Sequence, residues 1–255
     1  MNDVLAISAL LASLVILAIG ASGTFNNVLE RDVDRRMART ADRPVASARV
    51  PPGRAAAFGL VLAAASVATF VAFVNVLSAA LGLLAILSYS VGYTLVLKPN
   101  TTQNIVIGGA VGAFPALIGW AAVTDTVGIP AVVLGALVFL WTPAHFYNLA
   151  LVYREDYARA GFPMLPVVRG AAVTRRHVML YLGATLLGAV ALGATTRLGP
   201  LYAAVVTLVG AAFLWAVLRV FRERSPRAAK LAFHASNLFL GSLLLVVLVD
   251  TLLVG

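Results

Sequence analysis

Two clusters of acidic residues, each accompanied by arginines, stand at the ends of long apolar segments. In the first cluster, Asn26, Glu30 and Asp34 follow one another at intervals of four residues. Each step of four turns only about 40° around a helix while rising about 6 Å, so the three side chains are predicted to form one stripe. Asp32 falls on roughly the opposite side, where we expect it to pair with an arginine three or four residues further on.

The second cluster consists of Glu155 and Asp156, which follow another apolar segment and are flanked by Arg154 and Arg159. Acidic side chains beside arginines suit a diphosphate held through Mg²⁺. Hard oxygen ligands hold this ion, which shares the phosphates of the substrate, while Arg and Lys bind the remaining phosphate oxygens. The alternative for each cluster is a solvated, charge-paired helix end. Two acidic clusters on one face favour the diphosphate site.

The composition indicates that membrane helices carry these clusters. The chain is 61% hydrophobic and 11% charged, which excludes an ordinary soluble domain. Several runs are long enough to cross about 30 Å of hydrocarbon. They are continuous rather than alternating, which favours helices over a barrel. We therefore predict an all-α polytopic transmembrane bundle, a single domain over residues 1–255. Its eight runs are 4–25, 55–75, 77–97, 104–123, 129–151, 177–195, 199–220 and 232–253.

The distribution of charge predicts the orientation of the bundle. If the loop after the first run is cytoplasmic, all of the 19 basic residues except Arg197 lie on that side. Topology thus explains the net charge of +9, and no nucleic-acid partner is expected. Both acidic clusters then face the cytoplasm of a multi-pass protein of the cell membrane. The first run lacks a basic leader and a small-residue cleavage site, so we expect a permanent helix rather than a signal peptide. The absence of cysteine excludes disulfides, thiolate metal sites and a cysteine nucleophile.

Several segments carry a family resemblance. "NNVLERDVDRRMART" resembles the Asn-x-x-x-Asp-x-x-x-Asp pattern of the intramembrane prenyltransferases of the UbiA superfamily, with Glu30 in place of the usual Asp. "YTLVLKPNTTQNIVIGGAVGAFPALIGWAAVT" and "LWTPAHFYNLALVYREDYARAGFPMLPVVRG" resemble the heme O synthases, or protoheme IX farnesyltransferases, within it. The resemblance implies a UbiA-like bundle. Members usually have nine helices, and this chain aligns from the second onward, so we expect the first family helix to be missing.

The resemblance implies transfer of the farnesyl group of farnesyl diphosphate to a vinyl group of heme B, with water added, giving heme O and diphosphate. The implied cofactor is Mg²⁺. The implied partners are the two substrates, the lipid bilayer and a heme A synthase that receives the product. The implied catalytic residues are Asn26, Glu30, Asp34 and Asp156. The implied metal ligands are Asn26, Glu30 and Asp34 for one ion, and Asp156 with Glu155 for a second. The implied substrate-binding residues are Arg31, Arg35, Lys98 and Arg154 for phosphate oxygens and His145 for heme.

Several of these assignments also have an ordinary structural explanation. A lone lysine at the end of a membrane helix, such as Lys98, is equally consistent with a snorkelling anchor. A buried histidine such as His145 is often a hydrogen-bonded packing residue. Arg39 and Arg43 are interpreted as topology determinants only. For the whole chain, two other functions remain open. One is a UbiA-type enzyme with an aromatic or lipid acceptor, and the other is a transporter whose charged loops merely set its topology.

Overall fold

The structure is a computed structural model that describes the backbone of residues 2–254 and the side chains of residues 15–251. The predicted all-α fold is confirmed. Within the described part, seven helices are long and apolar enough to span a membrane. They are α3 Pro52–Phe73, α4 Val76–Asn100, α5 Asn104–Thr124, α6 Ile129–Val152, α9 Gly170–Thr196, α10 Pro200–Glu223 and α11 Pro226–Val254.

The first predicted run is also helical. This helix, α1, covers Asn2–Leu29, and its side chains are described from Val15 onward as an apolar segment. Three short helices complete the described chain, and each follows the end of a longer helix or a loop beside it. They are α2 Arg31–Asp34, α7 Arg154–Arg159 and α8 Leu165–Val168.

Several helices begin before the apolar runs that reveal them in the sequence. Helix α9 begins at Gly170 rather than at residue 177, and it therefore includes Arg175 and Arg176 in its first turns. Helix α11 begins at Pro226, six residues before the predicted start at residue 232. Proline is favoured at the first helical position. An apolar run marks the hydrocarbon layer, whereas backbone hydrogen bonds continue through the headgroup region, so helix ends extend past the hydrophobic signal.

Two helices leave regular α geometry on the side where they meet. Helix α4 is π-helical over Ser88–Leu97, and α5 is a 3₁₀-helix over Gly109–Ala113. Such departures are frequent at functional sites. Just before the 3₁₀ segment, a Cβ placed on Gly108 would overlap the ring of Tyr93 in α4. Glycine at this position is what allows the two helices to approach.

The core lies in the second half of the bundle, where α6 packs along α9 and α11, and α10 packs along α11. Most of its largest fully buried side chains come from these four helices. They include Leu137, Tyr147, Leu182, Phe213 and Phe239. The first half, α1 with α3 and α4, contains smaller buried groups around Ala21 and Phe70. The C-terminal end of α1, which carries the first acidic cluster, contacts α4.

Candidate active site

The predicted stripe of three oxygen-bearing side chains is present at the C-terminal end of α1 and in α2. Glu30 forms a turn between α1 and α2, but the backbone keeps helical spacing, because Glu30 N bonds to Asn26 O at 2.9 Å and Asp34 N bonds to Glu30 O at 2.8 Å. The exposed fractions of Asn26, Glu30 and Asp34 are only 5%, 4% and 2%. Buried carboxylates require charged or hydrogen-bonding partners. The partners identify what the stripe can bind.

Two cations hold the stripe. The Arg43 guanidinium donates to Asp34 Oδ2 at 2.8 Å and to Asn26 Oδ1 at 3.2 Å, and lies 3.9 Å from Glu30 Oε2. From α4, Lys98 Nζ donates to Glu30 Oε2 at 2.7 Å. Arg43 therefore belongs to the site, although its sequence position indicated only topology. Lys98 is not a snorkelling anchor in this structure, because its ammonium group is turned toward a buried carboxylate.

An ordered loop between α2 and α3 returns Arg43 to the stripe. Met37 and Val45 anchor this loop in the interior with exposed fractions of 2% and 4%. The Thr40 hydroxyl donates to Asp34 O at 3.2 Å, and Arg35 Nε donates to Ala46 O at 2.8 Å. Helical periodicity cannot reveal a contact made by such a loop. The alternation of buried apolar residues with arginines in "MARTADRPVA" is the only sign of it in the sequence.

A cavity of about 390 Å³ opens beside the stripe. Its polar end is lined by Asn26, Arg39, Arg43 and Lys98. Its apolar part is lined by residues from α4, α5, α6 and the segment around α7, including Tyr89, Tyr93, Trp141, Phe146, Tyr157 and Met164. A charged end joined to an aromatic and aliphatic end matches an amphiphilic ligand with an anionic head.

The polar end carries more positive than negative charge. Arg39 forms no ion pair with any described carboxylate, and its guanidinium lies 5.4 Å from the centre of the Tyr153 ring. It also acts on the Tyr157 hydroxyl: burial raises the pKa of that phenol, and the positive charge of Arg39 opposes the rise. Arg39, Arg43 and Lys98 thus face two carboxylates. The excess charge favours an anion in the cavity.

The second acidic cluster is not in this cavity. Asp156 is buried, with 8% of its surface exposed, and pairs with Arg159 one turn along α7. Glu155 and Arg154 are exposed. All three line a different cavity, of about 630 Å³, on the other side of α7. The neighbouring Tyr157 is the residue of this helix that faces the first cavity.

Two of the predicted phosphate ligands also lie away from the cavity. Arg31 and Arg35 are about half exposed and face Asp32, with nitrogen to oxygen distances of 3.4 Å and 3.7 Å. The expected pairing of Asp32 with an arginine three residues further on is therefore observed. In this arrangement Arg31 and Arg35 satisfy a surface carboxylate, whereas Arg39 and Arg43 line the cavity.

His145 lies behind the wall of the cavity. Its ring is stacked between Trp141 and Phe233, each with a centroid distance of 4.3 Å, and 5% of the residue is exposed. Its Nδ1 is 2.6 Å from Ser236 Oγ, which itself donates to Phe233 O, so Nδ1 is the protonated nitrogen in this pair. These contacts match the alternative that His145 is a hydrogen-bonded packing residue. Of the stacked rings, Trp141 reaches the cavity.

The stripe supplies the type of ligand that Mg²⁺ requires. Among the described residues, no group of three or more His, Cys, Asp or Glu side chains is arranged to hold a metal ion. Asn26, which lines the cavity, and Glu30 and Asp34, which are paired with the cavity-lining Lys98 and Arg43, instead offer one amide and two carboxylate groups. Mg²⁺ is commonly bound by one or two carboxylates together with water and substrate phosphates. The oxygen donors present therefore fit this ion when it arrives with a phosphate ligand.

A protein-family model described as the UbiA prenyltransferase family matches residues 2–243 of the chain. Protoheme IX farnesyltransferase 1 of Natronomonas pharaonis is 63% identical over 239 residues, which are 94% of this chain and 52% of that protein. The corresponding protein of Parvibaculum lavamentivorans is 43% identical over 256 residues, covering 99% of this chain and 80% of that protein. The chain thus spans about half the length of the Natronomonas relative.

Solved structures share the fold at low sequence identity. A digeranylgeranylglyceryl phosphate synthase superposes with a TM-score of 0.76 at 16% identity, covering 96% of this chain and 86% of that one. A UbiA homologue from Archaeoglobus fulgidus, whose structure contains GPP and Mg²⁺, superposes with a TM-score of 0.67 at 18% identity, covering 93% and 87%.

Proposed function

The chain belongs to the UbiA prenyltransferase family, and we propose that it transfers the farnesyl group of farnesyl diphosphate to a vinyl group of heme B, giving heme O and diphosphate. One observation carries the proposal: a cavity that joins three cationic side chains, two of them paired with the buried carboxylates of the stripe, to an aromatic, apolar interior. The names of relatives that are 43% to 63% identical support the choice of substrates.

The cationic end of the cavity is proposed to bind the diphosphate. Breaking the allylic carbon–oxygen bond places negative charge on the departing diphosphate, and fixed positive charge lowers that barrier. Arg39 is free of carboxylate partners in the described structure. Arg43 and Lys98 now bind carboxylates and have donors left for phosphate oxygens. The predicted phosphate role is therefore retained for Lys98 and extended to Arg39 and Arg43.

Asn26, Glu30 and Asp34 are proposed to hold Mg²⁺. When bound, this ion supplies further positive charge to the leaving diphosphate. Glu30 and Asp34 also hold Lys98 and Arg43 in place, so each carboxylate positions one cation toward the cavity. The A. fulgidus homologue, whose structure contains Mg²⁺ with a prenyl diphosphate, supports this assignment. A role for Asp156 and Glu155 in a second metal site requires α7 to turn them toward the cavity.

The apolar part of the cavity is proposed to exclude water from the allylic cation until a vinyl group of the acceptor reacts with it. The Trp141 and Tyr157 rings offer flat surfaces for a porphyrin, and the Lys98 ammonium group lies 6.0 Å from the centre of the Tyr93 ring, which lines the same cavity. The vinyl carbon forms the new bond to the farnesyl carbon, and water adds to the resulting cation with loss of one proton. No nucleophilic side chain is required for this reaction.

The acceptor can be tested directly with labelled donor. The purified chain, reconstituted in lipid, is incubated with labelled farnesyl diphosphate and Mg²⁺ in the presence of heme B or of 4-hydroxybenzoate. We expect label only in the heme fraction. Label in the aromatic acid would favour a UbiA-type enzyme with an aromatic acceptor, and label attached covalently to a lipid would point to a lipid acceptor. No consumption of the donor under any condition would favour a non-enzymatic membrane protein.

The cellular arrangement follows as part of the same proposal. The chain is a multi-pass membrane protein by its family and its seven membrane-length helices. We propose that it lies in the cell membrane with the site on the cytoplasmic face, as the basic loops predict. The product, heme O, would then be available within the bilayer to a heme A synthase.

A further inference from the structure

A second cluster of cationic residues lies apart from the proposed active site. Arg154, Arg175 and Arg224 line a cavity of about 140 Å³ between the inner ends of α6, α9, α10 and α11. No acidic residue lines this cavity, and none of the three arginines forms an ion pair or a side-chain hydrogen bond with the described residues. Three guanidinium groups from three helices therefore share one small space without a counter-charge from the protein.

The backbone fixes two of these arginines at the edge of the cavity. Arg224 ends α10 in the left-handed region, with φ of 51°, a conformation that residues other than glycine rarely adopt. Ser225 follows and caps α11, because Ala228 N bonds to Ser225 Oγ at 3.2 Å. The positive end of the α11 dipole thus borders the same cavity. Arg175 lies in the second turn of α9, well inside a regular helix.

The neighbouring surface limits where an anion can lie. Leu151, Arg154 and Pro226 are shared with the larger cavity that contains Glu155 and Asp156. Asp156 is already paired with Arg159, whereas Glu155 forms no ion pair with the described residues. An anion is therefore favoured in the small cavity, between Arg175 and Arg224, rather than in the large one.

We propose that this cavity binds the phosphate group of an anionic phospholipid headgroup. It lies where transmembrane helices end, at the depth of the headgroups, and basic pockets between membrane helices at such positions recognise phosphate-bearing lipids. Guanidinium groups match phosphate oxygens through paired hydrogen bonds. Free inorganic phosphate has the same chemistry, and the experiment separates the two sources. The proposal does not depend on the reaction that the chain catalyses.

The test uses lipid binding to the purified full chain in neutral detergent. Phosphatidylglycerol, phosphatidylcholine and inorganic phosphate are added in separate titrations, and binding is followed by native mass spectrometry and by the midpoint of thermal unfolding. We expect one phosphatidylglycerol to bind more tightly than phosphatidylcholine. Arg175→Gln and Arg224→Gln should each weaken phosphatidylglycerol binding by about fivefold, the effect of one basic residue near a membrane surface.

Matched controls come from neighbouring arginines outside the cavity. Arg176→Gln and Arg222→Gln remove the same charge from α9 and α10, and both should bind phosphatidylglycerol like the unmodified chain. Arg175→Lys keeps the charge and should bind with intermediate affinity. Without lipid, each variant must have the same midpoint of thermal unfolding as the unmodified chain. If Arg224→Gln unfolds at a lower temperature, Arg224→Lys is used in its place.

Three results would overturn the proposal. Equal binding of the two lipids would show that headgroup charge is not recognised. Equal losses in the control variants would show a diffuse electrostatic attraction instead of a site. The third result is that inorganic phosphate displaces phosphatidylglycerol and raises the midpoint of thermal unfolding by itself. If the Arg175 and Arg224 variants lost both effects, the cavity would be assigned to a soluble phosphate.

Discussion

The stripe of oxygen-bearing side chains and its arginine partner differ in how far the sequence predicts them. The spacing of Asn26, Glu30 and Asp34 predicted their common face because it depends only on helical geometry. The contact of Arg43 with Asp34 could not be predicted, because Arg43 comes nine positions after Asp34 through irregular chain and the loop that brings them together is held by tertiary packing. The arginines closest to the stripe in sequence, Arg31 and Arg35, are directed toward Asp32 instead.

The role of Arg43 leads to the first prediction. Arg43→Gln should lower kcat/KM for farnesyl diphosphate by about a hundredfold or more, because it removes a charge proposed to stabilise the leaving group. Arg36→Gln is the matched control, since Arg36 is exposed in the same segment and does not line the cavity. Steady-state kinetics of both variants measures the difference. Equal kinetics in the two variants would return Arg43 to a purely topological role.

The second prediction concerns His145, which the sequence left between heme contact and packing. Phenylalanine keeps a flat ring between Trp141 and Phe233 but cannot bond to Ser236. His145→Phe should therefore lower the thermal unfolding midpoint, since a buried hydrogen bond contributes about 1 kcal/mol. The Soret band of bound heme should stay unchanged. A shifted Soret band in a well-folded His145→Phe protein would show that the imidazole contacts the heme.

At the scale of elements, the order of the seven described membrane-length helices followed from apolar runs, but their local geometry did not. The π-helical and 3₁₀ segments of α4 and α5 arise where these helices approach each other, and no propensity in "SYSVGYTLVL" marks such a change. Residues 170–176 were likewise omitted from α9, because hydrophobicity records the membrane core rather than backbone hydrogen bonding. The sequence shows the glycines of α5, but it does not show that the Tyr93 ring packs against Gly108.

The approach of α4 and α5 can be tested by adding one methyl group. Gly108→Ala should displace the Tyr93 ring toward the cavity, because a Cβ at this position overlaps it. We expect a destabilisation of about 1 to 3 kcal/mol, typical of overpacking, together with reduced turnover. Gly119→Ala on the same helix is the control, since no atom lies within 4 Å of its added Cβ. The unfolding midpoint and the initial rate are measured for both variants. Equal values in Gly108→Ala and Gly119→Ala would contradict the close contact.

At the scale of the whole molecule, orientation was inferred from charge alone. The absence of cysteine makes a direct test simple, because each single cysteine introduced is the only thiol. Ser47→Cys and Val168→Cys should react with an impermeant maleimide only from the cytoplasmic side, and Thr126→Cys only from the opposite side. All three positions are exposed in this structure. Labelling of position 47 and position 126 from the same side would invalidate the proposed topology.

The central claim is that this bundle joins a prenyl diphosphate and a heme in one Mg²⁺-dependent reaction. The most direct measurement is mass spectrometry of the porphyrin after the reconstituted chain has been incubated with heme B, farnesyl diphosphate and Mg²⁺. The account predicts that heme gains the mass of one farnesyl group and one hydroxyl group, that chelation of Mg²⁺ prevents the gain, and that Asp34→Asn, folded but lacking one carboxylate of the stripe, greatly reduces it. Heme recovered at its original mass from the active, folded protein would contradict the account.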